Sequence, residues 1–317
     1  MSPFSIRPRI AAGAATLLVA GSIILNNPGT AAAASPKFDM SGFSVQVGTP
    51  VTYTPQQQAI FSQKEALAQQ ELQYPGTVYR MSHPAGLSAT YVSASGVRTS
   101  SNTMTPMVAD PDGALLGTWV RQQTKQYYCG PTAVQVVGDY AWQTGPNAVH
   151  NTQQNISNWW THTDANGSTN LGDEVVGLNG NVGSKFPSGF GTYHSYQRPN
   201  TVAGGAQWHA DLRTDIGGYY MPVVASVSPK QAGAAYQLPS WQGSGTAPAG
   251  DYGHYLVFSG YITKWDGNPG NTSPYLFYDD GSGGWGGGTG AYTDSDAAIY
   301  YMMWLWNHQH ASGYYMW

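Results

Sequence analysis

The chain has 317 residues, 9% of them charged, with a formal net charge of -4 at pH 7, 40 glycines, 22 tyrosines, 11 tryptophans and one cysteine. That balance argues against nucleic acid or another polyanion as partner, because phosphate backbones are met by basic surfaces. The composition is that of a neutral, loop-rich, aromatic protein.

Arg7 and Arg9 precede an apolar run from Ile10 to Leu25, and the small-residue tract Ala31 to Ala34 follows. This order predicts a secretory signal peptide over residues 1–34, cleaved after Ala33 or Ala34. The apolar run is shorter than the roughly 20 residues of a spanning helix. The expected product is therefore secreted and extracellular, with no membrane association after cleavage. About 280 residues would remain, enough for one large domain or a domain with an extension. Outside the cell, cysteines are normally paired or eliminated, so one retained thiol points to chemistry.

Residues 35–117 read as an N-terminal extension or propeptide, ahead of a domain over 118–317. Thr54 and Pro55 suit an N-cap and first helical position, and the helix should run to Tyr74, with Ile60, Phe61, Leu67 and Ala68 on its inner side. Ser93 to Pro106 reads as a linker or exposed loop, and His83, beside Pro84, as a loop histidine.

The stretch Gln123 to Trp142 organises the rest. After Cys129 come Gly130 and Pro131, then Ala133, Val136, Val137, Tyr140 and Ala141 at helical spacing. Cys129 should thus open a buried helix, with Pro131 in its first turn, where a missing N–H costs nothing. The positive end of a helix dipole favours a thiolate, the nucleophilic form of cysteine. Gln123, six residues upstream, can fold back so that its amide and the Cys129 N–H face a developing oxyanion.

Further along, Asn147 to Trp160 and Asp173 to Leu178 read as helices, Ala206 to Ile216 as another, and Tyr219 to Val227 as a strand. Asp211 and Asp215 share one helix face and are expected to be solvated. Asp251 to Tyr261 reads as a strand carrying His254. Pro274 to Tyr278 reads as a second strand, ending in Asp279, Asp280 and a glycine-rich loop with Trp285. Two neighbouring antiparallel strands could set either acid against His254, and a thiolate needs an imidazole whose tautomer a third group fixes.

Gln123, the CGPTAVQ run from Cys129, the GHYLVFSGY strand with His254 and the YLFYDDG strand together carry a resemblance. From about Val120 to Gly284 the chain resembles the papain-like cysteine peptidases, in the branch similar to bacterial double-glycine peptidases that process bacteriocin leaders. The resemblance implies an α+β papain-like fold, a nucleophile helix packed on an antiparallel sheet, a peptide or protein substrate, and no metal or cofactor. It implies Gln123 in the oxyanion hole, Cys129 as nucleophile, His254 as general acid and base, and Asp279 or Asp280 as the orienting acid. Asp280 fits better, since Asp280 to Gly283 forms an Asp-x-x-Gly turn. The chain departs from the pattern at Gly281, where the family usually has proline, and Gln122 is an alternative oxyanion donor.

The same triad would serve a transamidase or acyltransferase. A non-catalytic exported binding module is a rival of another class, using the aromatic segments Tyr300 to Trp306 and Tyr314 to Trp317, which otherwise read as core or edge strands. His308 and His310 lack a neighbouring third ligand for a metal.

Overall fold

The computed structural model describes residues 51–74, 89–92, 98–100, 113–182, 185, 192–199, 201–228, 237–241, 253–263, 274–283, 289–310 and 315–317, with backbone alone for 89–92, 98–100 and 304–310. The expected signal peptide, His83, Asp251 and Trp285 lie outside these residues, as do the side chains of His308 and His310.

Helix α1, Pro55–Gln73, starts as a capping box: the Thr54 hydroxyl accepts from the Gln57 N–H, and the Gln57 side chain accepts from the Thr54 N–H. Its most buried stripe differs from expectation. Lys64, Ala68 and Glu71 are buried at i, i+4 and i+7, while Ile60, Phe61 and Leu67 are half-buried. The reason is the surface opposite, formed by helix α4 (Val202–Leu212), the π-helical turn Arg213–Tyr219 that continues it, and Arg198. There Asp215 meets Lys64 at 2.9 Å, Arg213 meets Glu71 at 2.7 Å, and Arg198 meets Glu65 at 2.8 Å. Asp211 and Asp215 are accordingly both fully buried, not solvated. Asp211 accepts from Arg198 at 2.9 Å and also from the Tyr315 hydroxyl.

Helix α2, Cys129–Trp142, begins at the cysteine as predicted and is buried from Gly130 to Ala141. The segment read as one helix over Asn147–Trp160 is instead a short turn of helix, Gln153–Ile156, running into a π-helical turn, Ser157–Thr161. Helix α3, Leu171–Val182, is longer than expected, and α4 starts and ends earlier. The π-helical turn takes in Tyr219, and Tyr220 leaves it at φ 58°, so the following strand begins only at Val223. Tyr300 to Trp306 lie in helix α5, Asp296–His310, with Ile299, Met302 and Met303 buried at helical spacing, where a strand was one expectation.

Among the described residues nine strands form one antiparallel sheet: β1 Ala89–Val92, β2 Arg98–Ser100, β3 Gly113–Leu116, β4 Ser195–Tyr196, β5 Val223–Val227, β6 His254–Ile262, β7 Tyr275–Gly281, β8 Thr289–Ser295 and β9 Tyr315–Met316. Strand β2 falls inside the stretch read as an exposed loop. The axis is β6. One edge pairs with β7, while the other pairs first with β5, from Val227↔His254 to Val223↔Phe258, and then with β3, from Leu115↔Gly260 to Gly113↔Ile262. A register shift between Phe258 and Gly260 marks the change of partner.

Neighbouring residues of β6 face opposite ways. Val257 shares a cleft with Val136 of α2, whereas the Phe258 ring packs edge-on against Trp208 of α4, 5.6 Å between centroids. Helices α2 and α4 therefore cover opposite faces of this strand. The described part of the protein is an α+β structure whose cysteine-bearing helix lies against an antiparallel sheet. Both α1 and β3 come from the segment before residue 118, and both are joined to the rest, one by ion pairs and one by pairing with β6.

Candidate active site

Cys129 is half-buried at the first position of α2, and Tyr128 before it supplies no capping side chain, so no such oxygen screens the helix's positive end. His254 is the first residue of β6 and is 4% exposed. Its Nε2 lies 2.9 Å from Asp280 Oδ1, and the ring also hydrogen-bonds the Cys129 side chain. With Nε2 committed to Asp280, Nδ1 is the ring nitrogen available to the sulfur.

The two acids separate because strand β7 runs through both of them, to Gly281, instead of ending before them. Successive side chains on a strand point to opposite faces. Asp280, wholly buried, accepts from His254, from the Ser282 N–H at 2.8 Å and, on Oδ2, from Trp241 Nε1 at 3.1 Å. Asp279 pairs in register with Val257, faces α2, and keeps Oδ2 buried without a hydrogen-bond partner. The geometry thus brings Asp280, not Asp279, to the histidine.

The electrostatics follow this division. Burial works against a charged His254, but the Asp280 carboxylate, by charge and hydrogen bond, and the neighbouring Cys129 push it up to about 10. Burial would raise Asp280, yet His254, by charge and hydrogen bond, and hydrogen bonds from the Ser282 and Ser240 side chains hold it below the usual carboxylate range. Asp279 has no such base: burial pushes it up to about 7, Asp280 adds to this, and a hydrogen bond from Thr118 opposes it. At neutral pH the imidazolium is the stable form of His254, with Asp280 as its counter-charge.

Gln123 is 4% exposed and lines the same cleft as Cys129 and His254. Its backbone is tied to the acid's strand, the Gln123 N–H donating to the Gly281 carbonyl at 2.8 Å. Its Nε2 donates to the Gln126 carbonyl at 2.9 Å, which fixes the side chain. A Cβ on Gly281 would run into the Arg121 carbonyl oxygen and lie 2.6 Å from Thr132 Cγ2, so a proline ring cannot stand there. Gln122 is exposed, outside the cleft, and gives its Nε2 to the Gly283 carbonyl at 2.9 Å.

Two residues that sequence reasoning passed over hold this arrangement. Trp241, in the short 3-10 turn Pro239–Trp241, packs edge-on to His254 with centroids 5.5 Å apart while binding Asp280. Gln153 accepts from the Thr124 N–H at 2.8 Å and donates to the Gln122 carbonyl at 2.9 Å, fastening the Gln123 loop from its other side. Neither sits in a periodic pattern, and a tryptophan in a short turn carries no mark of its partner. Comparison of the chain with models of known protein families gives no match, and comparison with curated proteins gives none.

Proposed function

We propose that the protein is an exported, papain-like cysteine peptidase. The observation that supports this best is His254 placed between the Cys129 side chain and the buried Asp280 carboxylate. Cys129 thiolate attacks the substrate carbonyl carbon, forming a sulfur–carbon bond. The Cys129 N–H and the Gln123 amide hold the oxyanion. As the carbon–nitrogen bond breaks, the His254 imidazolium protonates the leaving amine. Neutral His254 then takes a proton from water, the resulting hydroxide attacks the thioester, and the thiolate leaves with His254 protonated again. Asp280 keeps the ring oriented and opposes its charge in both halves, and Trp241 fixes Asp280.

An activated ester tests this chemistry without knowledge of the natural peptide. With p-nitrophenyl acetate, the account expects a burst of nitrophenolate equal to the enzyme present and an acetyl group on Cys129 by mass spectrometry. No burst, or a burst that survives Cys129→Ala, contradicts it.

A further inference from the structure

Glu174, on α3, plays no part in that mechanism, yet it lies beside the nucleophile. It is 0% exposed, and neither carboxyl oxygen has a hydrogen-bond partner. Oε2 is aimed at the start of α2: a Cβ added to Gly130 would lie 2.7 Å from it and 2.5 Å from Thr169 Cβ. Residue 130 is glycine because these two polar side chains fill the space next to it.

The surroundings are negative. The charges that bear on Glu174 are those of Cys129 and Asp173, and among the described residues no cation acts on it comparably. Asp173 is held by Asn170 and lies 3.7 Å from His162 on the outer side. Tyr255, the residue after His254, lies within electrostatic reach of Glu174, and its hydroxyl donates to the Thr169 carbonyl at 3.4 Å. That is longer than a well-formed O–H···O bond, so Tyr255 is held weakly there.

We propose that Glu174 is the acidic floor of a subsite beside Cys129 that takes a cationic substrate side chain, an alkylammonium or guanidinium, when Tyr255 moves off Thr169. This assignment rests on the peptidase reading, since the substrate is defined by the nucleophile. A buried carboxyl left without a partner is costly, and a charged donor is the ligand that satisfies it. Burial raises the Glu174 carboxyl well above the usual carboxylate range and so favours its protonated form, the like charges of Cys129 and Asp173 adding to this. An arriving cation replaces that proton, which leaves to solvent, so cation binding strengthens as pH rises.

Alkylation of Cys129 in the full chain reads this out directly. The reagents are 2-bromoethylammonium and neutral iodoacetamide at pH 8.5; in each, a sulfur–carbon bond forms and halide leaves. The cationic-to-neutral rate ratio, divided by that of N-acetylcysteine amide, is expected to be about tenfold above unity in the wild type and to fall to unity in Glu174→Gln. A normalised ratio near unity in the wild type, or one that Glu174→Gln leaves unchanged, overturns the proposal. Should that variant fail to fold, protection of the wild-type thiol from iodoacetamide serves instead: butylammonium must protect and butanol must not, and equal protection overturns the subsite. Failure of the peptidase reading shows separately, as slow wild-type labelling by iodoacetamide alone at pH 6.

Discussion

The layer between α1 and α4 and the junction between α2 and β6 both bury charge, but they pair it differently. In the first, Lys64 faces Asp215, Arg213 faces Glu71, and Arg198 faces Glu65 and Asp211. Around Cys129, Asp280, Asp279 and Glu174 are all buried and only Asp280 faces a base. Opposed charges across an interface determine which surfaces dock, and their loss is felt in folding. Carboxyls kept buried without a base contribute nothing of that kind, and they cluster where the chemistry is placed.

The sharpest way to break this contrast is at the paired adjacent acids. Asp280→Asn should lower turnover of the activated ester roughly 10⁴-fold, the scale of an orienting-acid loss, while the protein still folds. Asp279→Asn should cost less than about tenfold. The reverse order in steady-state kinetics would place the wrong acid on His254.

In the docking layer the effect should appear in stability alone. Lys64→Ala leaves Asp215 buried without its base and should destabilise the protein by about 3–5 kcal/mol in urea unfolding. Labelling of Cys129 in the folded fraction should not change. A mild effect on stability would mean that water or another group already shares the Asp215 charge.

Gln123→Ala comes next, with about 2.7–4 kcal/mol of transition-state stabilisation lost, seen as a fall in kcat with the thiol still reactive. An unchanged kcat removes Gln123 from the oxyanion hole. The smallest effect should come from Gly281→Ala, whose methyl presses on the Arg121 carbonyl and Thr132. Overpacking of this kind costs about 1–3 kcal/mol in thermal or urea unfolding. Because Gly281 anchors the Gln123 backbone, kcat should fall with it.

The sequence made some of this legible and hid the rest for physical reasons. The Cys129 helix was readable because Gly130, Pro131 and the 3.6-residue spacing of Val136, Val137 and Tyr140 agree with one another. His254 was readable as a strand residue, but the choice between Asp279 and Asp280 turned on where β7 ends, and strand ends are not encoded by alternation alone. The charged stripe of α1 was missed because Lys64 and Asp215 stand 151 positions apart, and neither carries a local sign of the other. Glu174 falls in the stretch Asp173 to Leu178, which the sequence marks only as a helix. Its role depends on Gly130 and Tyr255, which only the packing of α3 against α2 and β6 brings to it.

The central claim is that His254 activates Cys129 as the nucleophile, and alkylation by iodoacetamide across pH tests it most directly. His254 is raised to about 10, above its ordinary value of about 6.5, so its charge is present at pH 6 and is lost only as pH climbs through 10. The account predicts rapid wild-type labelling at pH 6 that slows sharply in His254→Ala. Labelling that begins only near pH 8.5, or that is indifferent to His254→Ala, would contradict it and leave Cys129 a structural residue.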